Sequence, residues 1–459
     1  MRRMRRFAAV ALSALCSPVL ADIDAAAGRV GADGAPLPEP APVGATPDTL
    51  GDLGLACDWR PANGTPTADD PDPIRYGYIE LAAGYYQFFL SPYFPVGTRF
   101  RIDGRYPKAR YFSYQLYDGP NAGVGFLPDY QVQPDPGSQS PYSGISTLDS
   151  AVQPGGRYTV HVVYGKAPAV PAANTLYVDA ARFSPGSQAV FIYRIYNPFP
   201  GVAVSDHGGV PMPAVYEETA QGDVPLARLD RKLVCDAGIG QRNLRRVVRA
   251  QASDWLNAQP ERPQPIAAQP VPAPPQFLLR DDPGDVLVNH DNRYLYAQLS
   301  QKPGDLVLLR FKAPGYATGP GAGAEPQLRH WSVCENAWFT VETYRCIEDS
   351  EATLDAEGYS NIVISVPAKR PPDAVPARGF DWLDYGTAQI GTPILRHMLA
   401  SPRFTQSAFS VPSGQAAQAP ALMGEYFPLA TYCANAVFAA HTAAGETPRQ
   451  VFAGCAAGR

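Results

Sequence analysis

Five segments recur in the same order in the two halves of this chain, and that colinearity limits its fold more than any single motif does. Tyr85-Tyr86-Gln87-Phe88-Phe89-Leu90-Ser91 has a counterpart in Tyr294-Leu295-Tyr296-Ala297-Gln298-Leu299-Ser300. The stretch from Gly97 to Pro107 lies against Gly304 to Pro314 without a gap, and Arg110-Tyr111-Phe112-Ser113 matches Arg329-His330-Trp331-Ser332. Further on, Tyr158 to Val163 matches Tyr359 to Ile364, and Ile192-Tyr193-Arg194 matches Ile394-Leu395-Arg396, each of the last pair with a proline soon after (Pro198, Pro402). Strands share aromatic and β-branched residues, so the order of the matches carries more weight than any one of them.

The segments read as strands. Phe112, Tyr114 and Leu116 alternate with Tyr111, Ser113 and Gln115, the period of a strand with two unlike faces. With 49 prolines and 41 glycines the chain is rich in turns, and 25 tyrosines and 19 phenylalanines suit short strands. Helices do not intervene between the strand patterns, so the expected fold class is all-β: two tandem β-sandwich or jelly-roll-like domains, a connecting helix and a short Cys-bearing C-terminal tail. The boundaries read as a signal peptide (1–21), an Ala/Pro-rich leader (22–73), a first β-sandwich (74–236), a helix and Pro-rich linker (237–276), a second β-sandwich (277–410) and the tail (411–459). The helix rests on Leu244, Val247, Val248 and Trp255 at helical spacing, and the linker holds seven prolines between Pro260 and Pro275.

Arg2, Arg3, Arg5 and Arg6 precede an apolar run from Phe7 to Leu20 that is too short to span a bilayer, and Ala21 closes a small-residue cleavage site. The expected destination is the periplasm or the exterior, with no transmembrane segment after signal removal. Beyond the signal, six cysteines remain and no C-x-x-C, which argues for disulfides. The expected pairs are Cys334 with Cys346, Cys433 with Cys455 and, by elimination, Cys57 with Cys235. The net charge of −5 offers no footprint for nucleic acid.

The strand Arg110-Tyr111-Phe112-Ser113-Tyr114-Gln115-Leu116-Tyr117-Asp118, the stretch Asn174-Thr175-Leu176-Tyr177 and the strand Arg194-Ile195-Tyr196-Asn197-Pro198 follow one another as in a jelly-roll-like domain of unknown function. With the Trp331-Ser332-Val333-Cys334 hairpin and the Leu395-Arg396-His397-Met398 strand, the chain resembles exported bacterial proteins carrying such domains in tandem. The second copy departs from the pattern, with Ala337 where Asp118 stands and Met398 in place of Tyr196. The resemblance implies a fold and no assigned reaction.

Arg110 and Arg194 in the first copy, with Arg329 and Arg396 in the second, are the candidate ligand-binding residues. Two guanidiniums on neighbouring strands can hold a carboxylate, sulfate or uronic acid; the plainer alternative pairs them with structural acids, Asp118 or Asp179 in the first copy and Asp384 in the second. His330 and His397 each follow a repeat arginine and are the candidate catalytic residues, while a two-His metal site lacks a third ligand. A surface or hydrogen-bonded histidine is the ordinary reading of both. Ser205-Asp206-His207 sits in a Gly-rich loop and reads as a turn, and Glu348, Asp349 and Glu351 read as a solvated acidic turn without calcium-loop spacing. Aromatics from Tyr76 to Phe94 divide between core and stacking surface. No metal or other cofactor is expected. The functional expectation is an exported binding or envelope-associated module for a small-molecule or polysaccharide ligand of anionic or carbohydrate-like character. The alternative is an extracellular hydrolase or lyase acting on a polymer.

Overall fold

A computed structural model of the chain describes, apart from a few short breaks, residues 77–226 and 273–458, together with 59–61, 65, 66, 73 and 75. The expected signal peptide, the helix at 240–257 and the Cys57–Cys235 bridge lie outside the described residues, as does most of the leader and linker.

The first half supplies β1 (Arg60–Pro61), β2 (Ala83–Leu90), β3 (Arg99–Arg105), β4 (Ala109–Asp118), β5 (Gly123–Pro128), β6 (Arg157–Tyr164), β7 (Thr175–Val178), β8 (Ala189–Pro198), β9 (Ala214–Thr219) and β10 (Gly222–Pro225). The second supplies β11 (Leu278–Leu279), β12 (Asn292–Tyr296), β13 (Leu299–Ser300), β14 (Leu306–Lys312), β15 (Leu328–Ala337), β16 (Thr343–Glu348), β17 (Tyr359–Ser365), β18 (Asp381–Asp384), β19 (Ile390–Ala400) and β20 (Leu429–Cys433). Three helices follow β19: α1 (Ala419–Met423), α2 (Asn435–Ala443) and α3 (Pro448–Ala457).

These strands form four sheets. In the first half the order is β1-β2-β8-β4-β5 in one sheet and β10-β9-β3-β6-β7 in the other; in the second it is β11-β12-β19-β15-β16 and β18-β17-β14-β20. The order β2-β8-β4-β5 thus repeats as β12-β19-β15-β16, and β9-β3-β6-β7 as β20-β14-β17-β18. Even the exceptional parallel pair is duplicated, β6 with β7 and β17 with β18. Register follows: Arg194 lies opposite Ser113 and Tyr85, and Arg396 lies opposite Ser332 and Tyr294.

One match is displaced by a residue. Ile102 pairs with Val160, but Leu309 pairs with Ile362, not Asn361. Tyr158 therefore corresponds to Ser360, one position away from the gapless alignment. A single step exchanges the faces of a strand. The residues Ile362-Val363-Ile364 are apolar on both faces because both are covered, so alternation there does not say which face is inward.

Each half closes its two sheets over one core. Phe88, Phe112 and Phe191 from one sheet meet Phe100, Ile102 and Val160 from the other. In the second half Trp331, Val333 and Leu395 meet Val307, Leu309 and Ile362. The C-terminal segment adds β20 as the neighbour of β14, so the second sheet pair draws a strand from beyond residue 410. Behind that sheet, Leu306, Leu308 and Val363 pack under Phe438 of α2 and Val451 of α3. Thr447 and Gln450 form a reciprocal capping box that starts α3. Disulfides join Cys334 to Cys346, directly opposite on β15 and β16, and Cys433 to Cys455, tying β20 to α3. Such bridges belong to an oxidising, extracytoplasmic compartment. No helix among the described residues is long and apolar enough to cross a membrane.

Candidate functional site

Strands β4 and β15 are buried at every position. One face of each lies on its own core. The other, polar, face lies against the opposite half, so alternation in these strands distinguishes an apolar interior from a polar seam.

The four repeat arginines sit at or beside this seam, and all are buried. Arg329 donates from Nη1 to Asp129 Oδ2 at 2.9 Å and to the Arg110 carbonyl at 3.1 Å. Reciprocally, Arg110 donates to Asp349. Asp129 and Asp349 occupy matching positions after β5 and β16, and each accepts the backbone N–H of its own half, Phe112 at 3.1 Å and Trp331 at 3.0 Å. Arg396 donates to the carbonyls of Tyr78 and Ile79 in the first half and stands 3.8 Å from Glu80. Arg194 donates to Gln115 Oε1 at 3.1 Å within its own half, over the rings of Tyr85 and Tyr117. The acids that Arg329, Arg110 and Arg396 meet among the described residues are Asp129, Asp349 and Glu80. Residue i of one half meets j of the other and j meets i, the rule of a two-fold isologous interface, here within one chain.

The reciprocity extends to Glu80 and Asn289, each five residues ahead of the matched tyrosines Tyr85 and Tyr294. Asn289 Oδ1 accepts from Tyr111 Oη at 3.1 Å and from Gln115 Nε2 at 2.7 Å. Glu80 reaches the matching strand of the other half, where it accepts from Ser332 and approaches His330 at 3.8 Å.

Electrostatics separate the two ends of the seam. Burial pushes the Asp129 carboxyl up to about 7 against the pull of Arg329 and the Phe112 N–H. At Asp349 burial also opposes ionisation, but His330 and Arg110 outweigh it and hold the carboxyl below its usual range. Glu348 and Asp349 are thus seam residues, not a solvated turn.

His330 and His397 do not converge. On adjacent strands His330 pairs with Met398 and His397 with Trp331, so the imidazoles leave opposite faces of the sheet. His330 belongs to the seam. His397 lies in the core, where burial lowers its pKa to about 3 and its Nδ1 accepts the Ala408 N–H at 3.3 Å. The pair cannot share an ion or a substrate. The Ser205–His207 segment is a turn, with His207 in the left-handed region and edge-on to Tyr86.

Open polar surface lies instead on the outer sheet of the first half. A groove of about 540 Å³ is lined by Arg101, Asp103, Arg105, Arg157, Thr159 and Met212, among others. Arg101 is occupied, donating to Asp103 at 2.9 Å and to Asp223 at 2.6 Å, with its guanidinium over Tyr216. Arg105 and Arg157 are exposed and directly opposite each other on β3 and β6. Among the described residues neither forms an ion pair with a carboxylate. Like charges facing across strands repel unless something neutralises them. The sequence signal for this surface was present in the alternation Arg99, Arg101, Asp103, Arg105, a charged face on every second residue.

No family model matches the chain, and no curated protein does. Among solved structures it is similar to an uncharacterised protein from Burkholderia cenocepacia, at 15% identity and a TM-score of 0.43, over 76% of this chain and 81% of that one. A protein from Vibrio parahaemolyticus matches at 10% identity and a TM-score of 0.32, over 71% and 86%. The B domain of a biofilm associated protein matches at 9% identity and a TM-score of 0.19, over 75% and 72%. These are distant likenesses to uncharacterised bacterial proteins and bacterial surface-protein domains, and they give no family.

Proposed function

We propose that the chain is an exported tandem β-sandwich of the jelly-roll-like kind, resident in the periplasm or outside the cell, that binds an anionic or acidic-carbohydrate ligand. The observation that carries this reading is the cross-strand pair Arg105 and Arg157 at the rim of the open groove. A carboxylate or sulfate between two guanidiniums relieves their repulsion and takes charge-assisted hydrogen bonds from both. The ligand-facing guanidiniums are therefore these two, while Arg110, Arg194, Arg329 and Arg396 are buried within the protein. The polymer hydrolase or lyase alternative draws no support from His330 and His397, which are buried on opposite faces of one sheet.

Heparin, which carries sulfate and uronate groups, is a suitable probe, with neutral dextran as control. The protein is expected to bind immobilised heparin at low salt and to release it as salt rises. The pair Arg105→Ala with Arg157→Ala is expected to abolish retention without lowering the melting temperature. Retention unchanged in that variant, or equal retention on dextran, overturns the proposal.

A further inference from the structure

The seam repeats its arginine–aspartate pairs at both ends, but one end carries a group of side chains that the other lacks. Glu80 comes from the segment ahead of β2, His330 from β15 and Glu348 from the end of β16. Their counterparts at the other end are Asn289, Tyr111 and Pro128. The three positions differ between the two ends: a histidine and two carboxylates at one, an asparagine, a tyrosine and a proline at the other.

Their geometry is that of a ligand set. His330 Nε2 lies 3.4 Å from Glu348 Oε2 and 3.8 Å from Glu80 Oε2. The three donor atoms lie within 4.8 Å of one another. Metal–ligand bonds of about 2.0–2.2 Å set donors roughly 3.3–3.6 Å apart around a tetrahedral ion. His330 is fully buried, yet its Nε2 makes no hydrogen bond among the described residues, although it points at both carboxylates. The other ring nitrogen, Nδ1, is held 2.9 Å from Asp349 Oδ2. A carboxylate on Nδ1 keeps the proton there and leaves the Nε2 lone pair for an ion, the usual outer support of a ligating histidine. Asp349 is itself fixed by Arg110 and the Trp331 N–H, and Glu80 by Ser332 and the Leu81 N–H. Cys334 and Cys346 also lie beside Glu80, but their sulfurs are joined to each other and are not ligands.

Charge sets the competing occupant. Glu80, Glu348 and Asp349 face Arg110 and Arg396. With a neutral imidazole, three carboxylates against two guanidiniums leave an uncompensated negative charge that costs free energy in a buried place. A proton on His330 cancels the single excess negative charge, and a divalent cation turns it into a single positive one. A protonated Nε2 faces Glu348 at 3.4 Å and Glu80 at 3.8 Å, long for hydrogen bonds, whereas a cation between them takes the Nε2 lone pair and both carboxylates at once. We propose that Glu80, His330 and Glu348 hold a divalent transition-metal ion at the seam between the two halves, with Zn²⁺ matching the donor types. The site is closed, so the ion is taken up as the halves come together and acts as a structural tie.

The test uses the full mature chain unfolded in chelator and refolded with or without Zn²⁺, then freed of loose metal and assayed by elemental analysis. About one Zn²⁺ per chain is expected after refolding with the ion, together with a higher melting temperature than the chelated sample. Glu348→Gln keeps the side-chain shape and is expected to lose about tenfold or more in Zn²⁺ affinity. Refolding with Co²⁺ supplies a measurement independent of any variant: a tetrahedral ion with nitrogen and oxygen ligands gives visible absorption bands. Wild-type protein that refolds without retaining Zn²⁺, shows no Co²⁺ bands, or binds no better than Glu348→Gln overturns the proposal and leaves a protonated His330 in the cluster.

Discussion

On the outer sheet of the first half, β3 turns Arg99, Arg101, Asp103 and Arg105 toward solvent. On the matching sheet of the second half, β14 turns Leu306 and Leu308 outward, and α2 and α3 cover them. The strands correspond in order and direction, yet one surface is charged and open while the other is apolar and roofed at Leu306 and Leu308, with the charges of β14 confined to Arg310 and Lys312 at its far end. The inner surfaces keep their reciprocal arginine–aspartate pairs, because each is pressed against the other and a change on one side must suit its partner. An outer face answers only to what covers it. The second half carries a helical cover stapled by Cys433–Cys455; the first presents a charged exterior with the Arg105–Arg157 pair.

The inner likeness can be broken most severely at its ion pairs. Arg329→Ala leaves Asp129 buried beside a vacated guanidinium site and is expected to cost about 3–5 kcal/mol in denaturant unfolding. Arg110→Ala, its mate, is expected to cost a similar amount. Replacing Arg329 and Asp129 together by Met and Leu is expected to recover most of the loss. A loss at Arg110 under a third of that at Arg329 means that the reciprocal contacts are not reciprocal in energy.

The outer difference can be broken next. Changing both Cys433 and Cys455 to Ser frees a loop of 22 residues, a loss of about 3 kcal/mol by chain entropy. Hydrogen exchange in β14 and β20 is expected to speed up while β3 and β9 stay protected. Equal acceleration in both halves would show that the roof stabilises the whole molecule rather than its own sheet.

A smaller effect sharpens the comparison inside the cores. Glu335 occupies the position of Leu116, fully buried on the core face of β15. Burial first, and Asp384 second, raise its carboxyl well above the ordinary 4.5, with only the Thr392 N–H pulling the other way. Tyr344 and Tyr385 also face it. The native state therefore keeps a proton that the unfolded chain gives up, so this residue's contribution to stability falls as pH rises above about 4.5. Glu335→Leu is expected to flatten that slope and to add about 1–3 kcal/mol at pH 7, read from urea midpoints between pH 5 and 8. A destabilised variant would mean that Glu335 answers a need the first half does not have.

The least perturbing change is at the open groove. Arg157→Ala removes one of two facing like charges and is expected to shift stability by under about 0.5 kcal/mol, in the stabilising direction. The shift should shrink in high salt. A clear destabilisation would show that Arg157 is a structural anchor.

The duplication, the mainly-β character and the Cys334–Cys346 and Cys433–Cys455 bridges were legible in the sequence, because strand period, turn residues and local cysteine spacing are encoded by neighbours; the helices of the tail were not. Alternation in β4 and β15 shows two unlike faces but not that the polar one is dry, and although structural ion pairs are the favoured sequence reading of Arg110 and Arg329, their partners cannot be named from it. Only the packing of the halves decided them, by bringing Asp349 to Arg110 and Asp129 to Arg329 across about two hundred residues of chain. The gathering of Glu80, His330 and Glu348 has the same origin. Each residue is unremarkable in its own segment, and their approach depends on which face meets which, a choice made by tertiary contact rather than by local pattern.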